Sequence, residues 1–236
     1  MQERTVLVTG SAKRIGRGIA LRLAKEGYRV AIHYRESERE ARQTAEECGD
    51  APIFQADLGR VPDIQRMFGE IKERLGPLYG LVNNAARFTR FNPLEITEYD
   101  WNFIHDINLK ATFFCCQSGA LQMRERGEGR IVNISSLGGI RPWADHAHYC
   151  ASKAGVIMLT RALAKAWAPE ITVNSVAPGV ILASNQDTRT QEMIAATPAK
   201  RAGTVEEVAD AVLYFLNASN FITGQLIAVD GGLSQR

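Results

Sequence analysis

No apolar run in this chain approaches the roughly 20 residues needed to cross a bilayer, which argues against a membrane-spanning helix. Cysteine is scarce. Cys48, Cys115, Cys116 and Cys150 are spaced neither as metal ligands nor as a disulfide framework, so buried free thiols in a reducing cytoplasm are expected. An excess of charge of one sign is also missing. A net charge of +2 over 236 residues gives no electrostatic basis for a nucleic-acid partner or an anionic membrane surface. There is no internal repeat, no linker and no shift in composition to divide the chain. No signal peptide is expected, because Met1-Gln2-Glu3-Arg4 runs straight into a strand pattern.

What is present is a steady alternation of strand and helix signals. Strand-like runs occupy Thr5–Thr9, Arg29–Tyr34, Ala51–Gln55, Tyr79–Asn83, Arg130–Ile134, Ile171–Val176 and Leu226–Val229. Helical periodicity falls between them, over Ile15–Glu26, Glu38–Glu47, Val61–Leu75, about Glu98–Arg126, about His148–Trp167 and Thr204–Leu216. Right-handed βαβ crossovers then build an α/β fold. The expectation is one domain over residues 1–236, with a doubly wound, mostly parallel seven-stranded sheet and helices on both faces. Its binding crevice should lie at the carboxyl ends of the strands. Residues 184–202 are polar, Thr-rich and without clear periodicity. They read as a surface loop or as a mobile lid over a substrate.

Two groups of residues carry chemistry. Tyr149 and Lys153 are one helical turn apart, so phenol and ammonium leave the same face. An ammonium there favours the ionised phenol and brings its pKa of about 10 toward neutrality, the range a general acid needs. Ser136 lies thirteen residues before the tyrosine. Hydride arriving at a carbonyl carbon puts negative charge on oxygen, and two hydroxyl donors aimed there stabilise it. At the other end of the chain, Gly10 follows the first strand and Gly16 opens the first helix. Glycines there let a pyrophosphate approach exposed N–H groups and the positive end of the helix dipole.

Taken in order, Thr9-Gly10-x-x-x-Arg14-Ile15-Gly16, Asn83-Asn84-Ala85-Ala86, Asn108, Ser136, Tyr149-x-x-x-Lys153, Pro178-Gly179, Ile222-Thr223-Gly224-Gln225 and Val229-Asp230-Gly231-Gly232 resemble the short-chain dehydrogenase/reductase family over essentially the whole chain. The resemblance implies a Rossmann fold, an NAD(P) cofactor, a small-molecule carbonyl or alcohol substrate, and a homotetramer or homodimer in the cytoplasm. Tyr149 becomes the acid/base, and Lys153 binds the nicotinamide ribose and depresses the tyrosine pKa. Ser136 holds the substrate oxygen. Asn108 bends its helix and orders a water that relays protons through Lys153. Gly10, Lys13, Arg14, Ile15 and Gly16 line the phosphates. Asp57 and Leu58 border the adenine, with an N-cap as the other reading of Asp57. Asn84, Ala85 and Ala86 line the cofactor, and Pro178, Gly179, Val180 and Ile181 meet the nicotinamide end. Phe88, Ile140, Trp143 and Val180 are candidates for the pocket wall or for ordinary packing. His146 and His148 lie two apart, but no third ligand is placed for a metal, and none is expected.

The second strand ends in His33-Tyr34-Arg35, with no carboxylate to hold both adenosine-ribose hydroxyls. A cation there suits a 2′-phosphate, so NADP(H) is expected, with NAD(H) the alternative. Glu36 and Glu38 are read as part of the start of the next helix. Arg14 replaces the middle glycine of the family's usual loop, Ala86 stands where glycine is commoner, and the loop is similar to that of the pteridine-reductase branch. That branch carries an aspartate at the position of Ser136, which favours ketone over pterin chemistry here. A ketone or β-keto acyl reductase is the leading reading. A pteridine reductase and a catalytically silent NADP(H) sensor are its rivals, while a nucleotide-sugar epimerase would need an added substrate domain.

Overall fold

The computed structural model describes residues 4–181 and 188–235. Seven strands and eight α-helices alternate in it. β1 (Thr5–Val8), α1 (Arg14–Lys25), β2 (Arg29–Tyr34), α2 (Glu38–Glu47), β3 (Ile53–Gln55) and α3 (Val61–Leu75) form the first half. β4 (Gly80–Asn83), α4 (Glu98–His105), α5 (Ala111–Arg126), β5 (Gly129–Ile134), α6 (Ala147–Trp167), β6 (Ile171–Pro178), α7 (Thr188–Ala196), α8 (Val205–Asn217) and β7 (Leu226–Val229) complete it. The strands lie in the order β3-β2-β1-β4-β5-β6-β7, and every pairing is parallel. β2 and β3 step away from β1 in one direction, and β4 onward in the other. The order therefore reverses between β1 and β4, where the carboxyl ends of the strands open a crevice.

Strand alternation divides the core into two layers. On β1, Leu7 faces Met67 and Phe68 of α3 and Cys115 and Cys116 of α5. Its neighbours Val6 and Val8 face Ile19 and Leu23 of α1 and Val208, Val212 and Phe215 of α8. Both faces are buried, which is why these strands are rich in β-branched and aliphatic residues. The outer strand β7 is tied to β6 by bonds between the Ile222–Gln225 turn and Val173 and Asn174 of β6. Thr223 Oγ1 accepts from Val173 N (3.1 Å), Asn174 Nδ2 donates to the Ile222 carbonyl (2.9 Å), and Gln225 N donates to Asn174 Oδ1 (2.9 Å). Beyond β7, Asp230 turns the chain by accepting from Gly232 N (3.0 Å) and Ser234 N (2.6 Å). These contacts give two of the sequence signatures their structural reason. Among the described residues, no helix is long and apolar enough to cross a membrane.

Two segments differ from the reading of the sequence. The helix expected over about Glu98–Arg126 is interrupted by a π-helical turn, Asp106–Lys110. Asn108 sits in that turn, where one extra residue swings it inward. The second is the stretch 184–202. Residues 184–187 lie outside the described residues, and Thr188–Ala196 form α7 in place of an irregular loop. Thr197, at the end of α7, is buried. A Cβ on Gly231 would stand 2.6 Å from its Cγ2, so the glycine backbone (φ +60°) is what lets the two segments meet.

Candidate active site

The loop between β1 and α1 is braced from below. Gly10 takes φ +64° and donates its N–H to His33 Nδ1 (2.9 Å). That bond leaves the His33 proton on Nε2, which donates to the Ala56 carbonyl (3.2 Å). Burial pushes the His33 pKa down to about 4. The imidazole is therefore a neutral strut between β1, β2 and the end of β3. Although it lines the cavity above the loop, it brings no charge, contrary to its grouping with a cationic strand end. Tyr34, expected beside it, packs against the core layer of α1 and α8 and does not line that cavity.

Gly16 stands where nothing larger fits. A Cβ there would be 2.3 Å from the Gly10 carbonyl oxygen and 2.4 Å from Asn84 Nδ2. Asn84 in turn donates to the Thr9 carbonyl (2.9 Å) and the Gly10 carbonyl (3.2 Å), so β1 and β4 are stitched together under the loop. Gly16→Ala must push this turn apart. The expected outcome is a lower thermal midpoint together with cofactor affinity weakened about tenfold or more, measured by cofactor titration. Arg14 adopts φ +53°, in the left-handed region that a glycine takes without penalty. For a side-chain-bearing residue this costs about 1 kcal/mol. Lys13, at the N-cap of α1, sends its ammonium to Glu40 (2.9 Å).

Above the loop lies a cavity of about 480 Å³. Gly10, Lys13, Arg14, Ile15 and Gly16 form its floor. Arg35, Asp57 and Leu58 close one side, and Asn84, Ala85 and Ala86 the other. Asp57 does not cap α3, whose N-cap is Arg60. Its Oδ1 instead accepts from Gly59 N (2.9 Å) within the turn. Arg35 reaches Glu36 (2.9 Å) at the rim, and Glu38 falls in the first turn of α2, where an acidic side chain suits the helix dipole. Ala56, Arg87 and Ile107 also line the cavity and were not anticipated. Arg87 directly follows the Asn83–Ala86 signature, and a cation at that strand end was the available signal.

The candidate catalytic residues gather where β5 ends against α6. Ser136 is extended, and its Oγ accepts from Gly138 N (3.0 Å); it lies near enough to the Tyr149 phenol to act on its pKa. Lys153 is buried and donates from Nζ to the Ile134 carbonyl (2.9 Å), with its ammonium 6.0 Å from the centre of the Tyr149 ring. Burial pushes Lys153 down to about 8. It pushes Tyr149 up to about 12, against the lowering effect of Ser136. The depression of the phenol expected from Lys153 is absent among the protein's own groups, where burial raises the pKa and Ser136 lowers it. Both side chains are desolvated, and the ammonium faces a carbonyl. A Cβ on Gly139 would meet the Lys153 backbone at 2.7–2.8 Å, so the Ser136–Gly139 turn packs directly on the helix that carries the pair.

Asn108 joins the two halves of the site. Its Oδ1 accepts from Arg87 N (2.8 Å), and its Nδ2 donates to the Arg87 carbonyl (3.0 Å) and to Ser152 Oγ (3.1 Å). Ser152 donates to the Tyr149 carbonyl (2.7 Å). Around the phenol, Phe88 meets Tyr149 edge-on at 4.8 Å and stacks on His146 at 4.8 Å. Trp143 lies nearly parallel to the Tyr149 ring at 6.2 Å, and Ile140 is partly exposed nearby in sequence. His148 pairs through Nε2 with Thr89 Oγ1 (2.7 Å). Pro178 ends β6. Gly179 N donates to the Val229 carbonyl (2.9 Å), the Val180 carbonyl accepts from Gly203 N (2.9 Å), and Ile181 bridges to Gly203.

A family profile described as enoyl-(acyl carrier protein) reductase matches residues 10–234. The 3-oxoacyl-(acyl-carrier-protein) reductase FabG of Staphylococcus aureus (strain Mu50 / ATCC 700699) is 38% identical over 241 residues, covering 98% of this chain and 98% of that protein. An actinorhodin polyketide ketoreductase solved with NADPH is 34% identical, with a TM-score of 0.93 over 99% of this chain and 98% of that one. A gluconate 5-dehydrogenase from Burkholderia cenocepacia J2315, solved with NADP and tartrate, is 31% identical, with a TM-score of 0.93 over 100% of this chain and 97% of that one.

Proposed function

The chain belongs to the short-chain dehydrogenase/reductase family, and we propose that it is an NADPH-dependent reductase of 3-oxoacyl thioesters and related ketones, able to run in reverse on secondary alcohols. The observation that carries the reading is the Ser136–Tyr149 hydroxyl pair with Lys153 buried behind it. Two neutral donors answer a ketone oxygen as it gains charge. A pterin nitrogen calls for a carboxyl in place of Ser136.

The cavity fits the cofactor on its own evidence. The glycine turn admits no side chain at Gly16, and Arg14 forms no ion pair among the described residues. The positive end of α1 faces the same floor. Gly10, Lys13, Arg14, Ile15 and Gly16 would hold the pyrophosphate, and Asp57 and Leu58 the adenine. Asn84, Ala85 and Ala86 would hold the adenosine ribose. Pro178, Gly179, Val180 and Ile181 would meet the nicotinamide, which supplies the hydride. Tyr149 donates the proton to the substrate oxygen, Ser136 holds that oxygen in place, and Lys153 holds the nicotinamide ribose and faces the tyrosinate as it forms. Asn108 orders the water that returns the proton.

Residues 184–202, with α7 at their centre, are the substrate loop in this reading. They connect the nicotinamide end of β6 to α8. A homotetramer or homodimer belongs to this reading, supported by apolar side chains left open on two helices, Leu121 on α5 (62% exposed) and Met158 on α6 (60% exposed). Cys115 and Cys116, buried as free thiols, suit a cytoplasmic setting.

Arg35→Ala should weaken NADPH binding about tenfold or more, since a charge-assisted phosphate contact contributes roughly 1.5–3 kcal/mol. Titration of both cofactors checks this, and NADH binding equal to or tighter than NADPH binding by the unmodified protein would sink the cofactor assignment. A panel of ketones, acetoacetyl thioesters and dihydrobiopterin, run with each cofactor, tests the substrate. Turnover of the pterin without turnover of any ketone would overturn the reading.

A further inference from the structure

The cavity at the carboxyl ends of β2 and β3 holds more positive charge than its own carboxylates answer. Lys13 is paired with Glu40 (2.9 Å), and Arg35 reaches only the 76% exposed Glu36 (2.9 Å). Arg14 and Arg87 face the same space, and among the described residues neither forms an ion pair with a carboxylate.

Arg87 is fixed in two ways. Its backbone is clamped by Asn108, through Arg87 N to Oδ1 (2.8 Å) and Nδ2 to the Arg87 carbonyl (3.0 Å). Its guanidinium lies over the Phe103 ring, 4.0 Å from the centroid, and Nη1 donates to the Phe103 carbonyl (3.1 Å). One of five N–H donors is thereby used and one face is covered, which leaves a preset edge of the fork for a ligand. Burial first, and then the neighbouring charge of Arg35, lower its pKa. Arg35 and Arg87 line the same cavity, so their like charges repel. Asp57 acts on Arg87 in the opposite sense. Arg35 and Asp57 line the side of this cavity given above to the adenosine, and Arg87 opens on the same cavity.

We propose that Arg87 is a specificity-determining residue that, together with Arg35, grips the 2′-phosphate distinguishing NADPH from NADH. The proposal rests on the NADPH reading given above. A phosphate monoester carries about −1.5 to −2 charges and three acceptor oxygens, so it answers two guanidiniums at once. A ribose hydroxyl leaves their mutual repulsion uncompensated, so discrimination comes both from attraction to one cofactor and from an unrelieved cost with the other. Because Phe103 and Asn108 already hold the side chain in place, little freedom is lost on binding.

The test is the dissociation constants of NADPH and NADH, read by nicotinamide fluorescence, for the unmodified protein, Arg87→Met and Arg87→Lys. Methionine keeps an apolar stem against Phe103 and removes the charge. NADPH binding should weaken about tenfold or more in Arg87→Met while NADH binding shifts by less than about threefold, with Arg87→Lys between the two. Equal losses for both cofactors would make Arg87 an adenine or purely structural contact and overturn the proposal, as would an unchanged NADPH constant. If Arg87→Met has no folded midpoint in thermal unfolding, Arg87→Lys carries the test, and its NADPH constant must weaken more than its NADH constant. An unmodified protein without preference for NADPH overturns the cofactor reading itself. That result is visible before any variant is made, so the two failures are distinguishable.

Discussion

Tyr149→Phe should reduce ketone turnover by about a hundredfold or more, and NADPH affinity should stay nearly unchanged. The proton donor is lost, but the ring remains. Phe88 still meets it edge-on and Trp143 still lies parallel to it, so the wall of the site keeps its shape. Burial holds the phenol up at about 12, so in the unmodified enzyme it is protonated throughout the working pH range and ready to donate in the reductive direction. Ser136 lowers the phenol pKa and, in the phenylalanine variant, is left as the one hydroxyl facing the substrate oxygen. It can orient that oxygen without replacing the donor. Single-turnover rates with saturating NADPH, alongside a cofactor titration, separate chemistry from binding. If the variant kept most of its turnover, the tyrosine would not be the acid. If the unmodified protein bound NADPH and reduced nothing across the carbonyl panel, a cofactor sensor would be the better description.

The periodicities that are local in the chain were legible in advance. The bounds of α2 and α3 agree residue for residue, because a polar or amphipathic 3.6-residue repeat is complete within each. The Tyr149–Lys153 pair was legible for the same reason. What could not be read is set by contacts between distant segments. The π turn at Asp106–Lys110 exists where Asn108 binds the Arg87 backbone and Ser152, partners 21 and 44 residues away. The hydrophobic pattern of the helix carries no mark of the extra residue. Whether His33 is charged depended on its burial between the strands and on Gly10 N donating to its Nδ1. The helix at Thr188–Ala196 has a weak apolar face. Below it, Thr197 meets Gly231, a contact invisible to any window of the sequence. Arg87 stood next to a recognised signature. Its relevance became visible only once β2, β3 and β4 were side by side.

Lys153→Met should abolish turnover and weaken cofactor binding, since the proposed mechanism gives the ammonium duties toward both the nicotinamide ribose and the phenol. That separates it from Tyr149→Phe, which should spare binding. Its effect on stability should have an unusual pH dependence. The ammonium is buried against the Ile134 carbonyl, and burial lowers its pKa from the ordinary 10.5 to about 8. Below about 8 both folded and unfolded chains carry the proton, and the folded chain bears the full desolvation cost, roughly 3 kcal/mol for a shift of this size. Between about 8 and 10.5 the unfolded chain holds the proton that the folded chain has released. Stability therefore rises with pH across that window. Methionine removes the term. It also removes a charge-assisted hydrogen bond of roughly 1.5–3 kcal/mol, so the two proteins should be close in stability at pH 7. By pH 10 the unmodified protein should have gained about 2 kcal/mol relative to the variant, measured by urea unfolding at both pH values. The same titration bears on activity. Loss of the ammonium as pH rises through about 8 removes the charge that faces the tyrosinate, so reduction should slow on the alkaline side. Parallel stability curves for the two proteins, together with a reduction rate flat to pH 10, would mean that Lys153 stays charged in the fold and that its burial costs far less than this account requires.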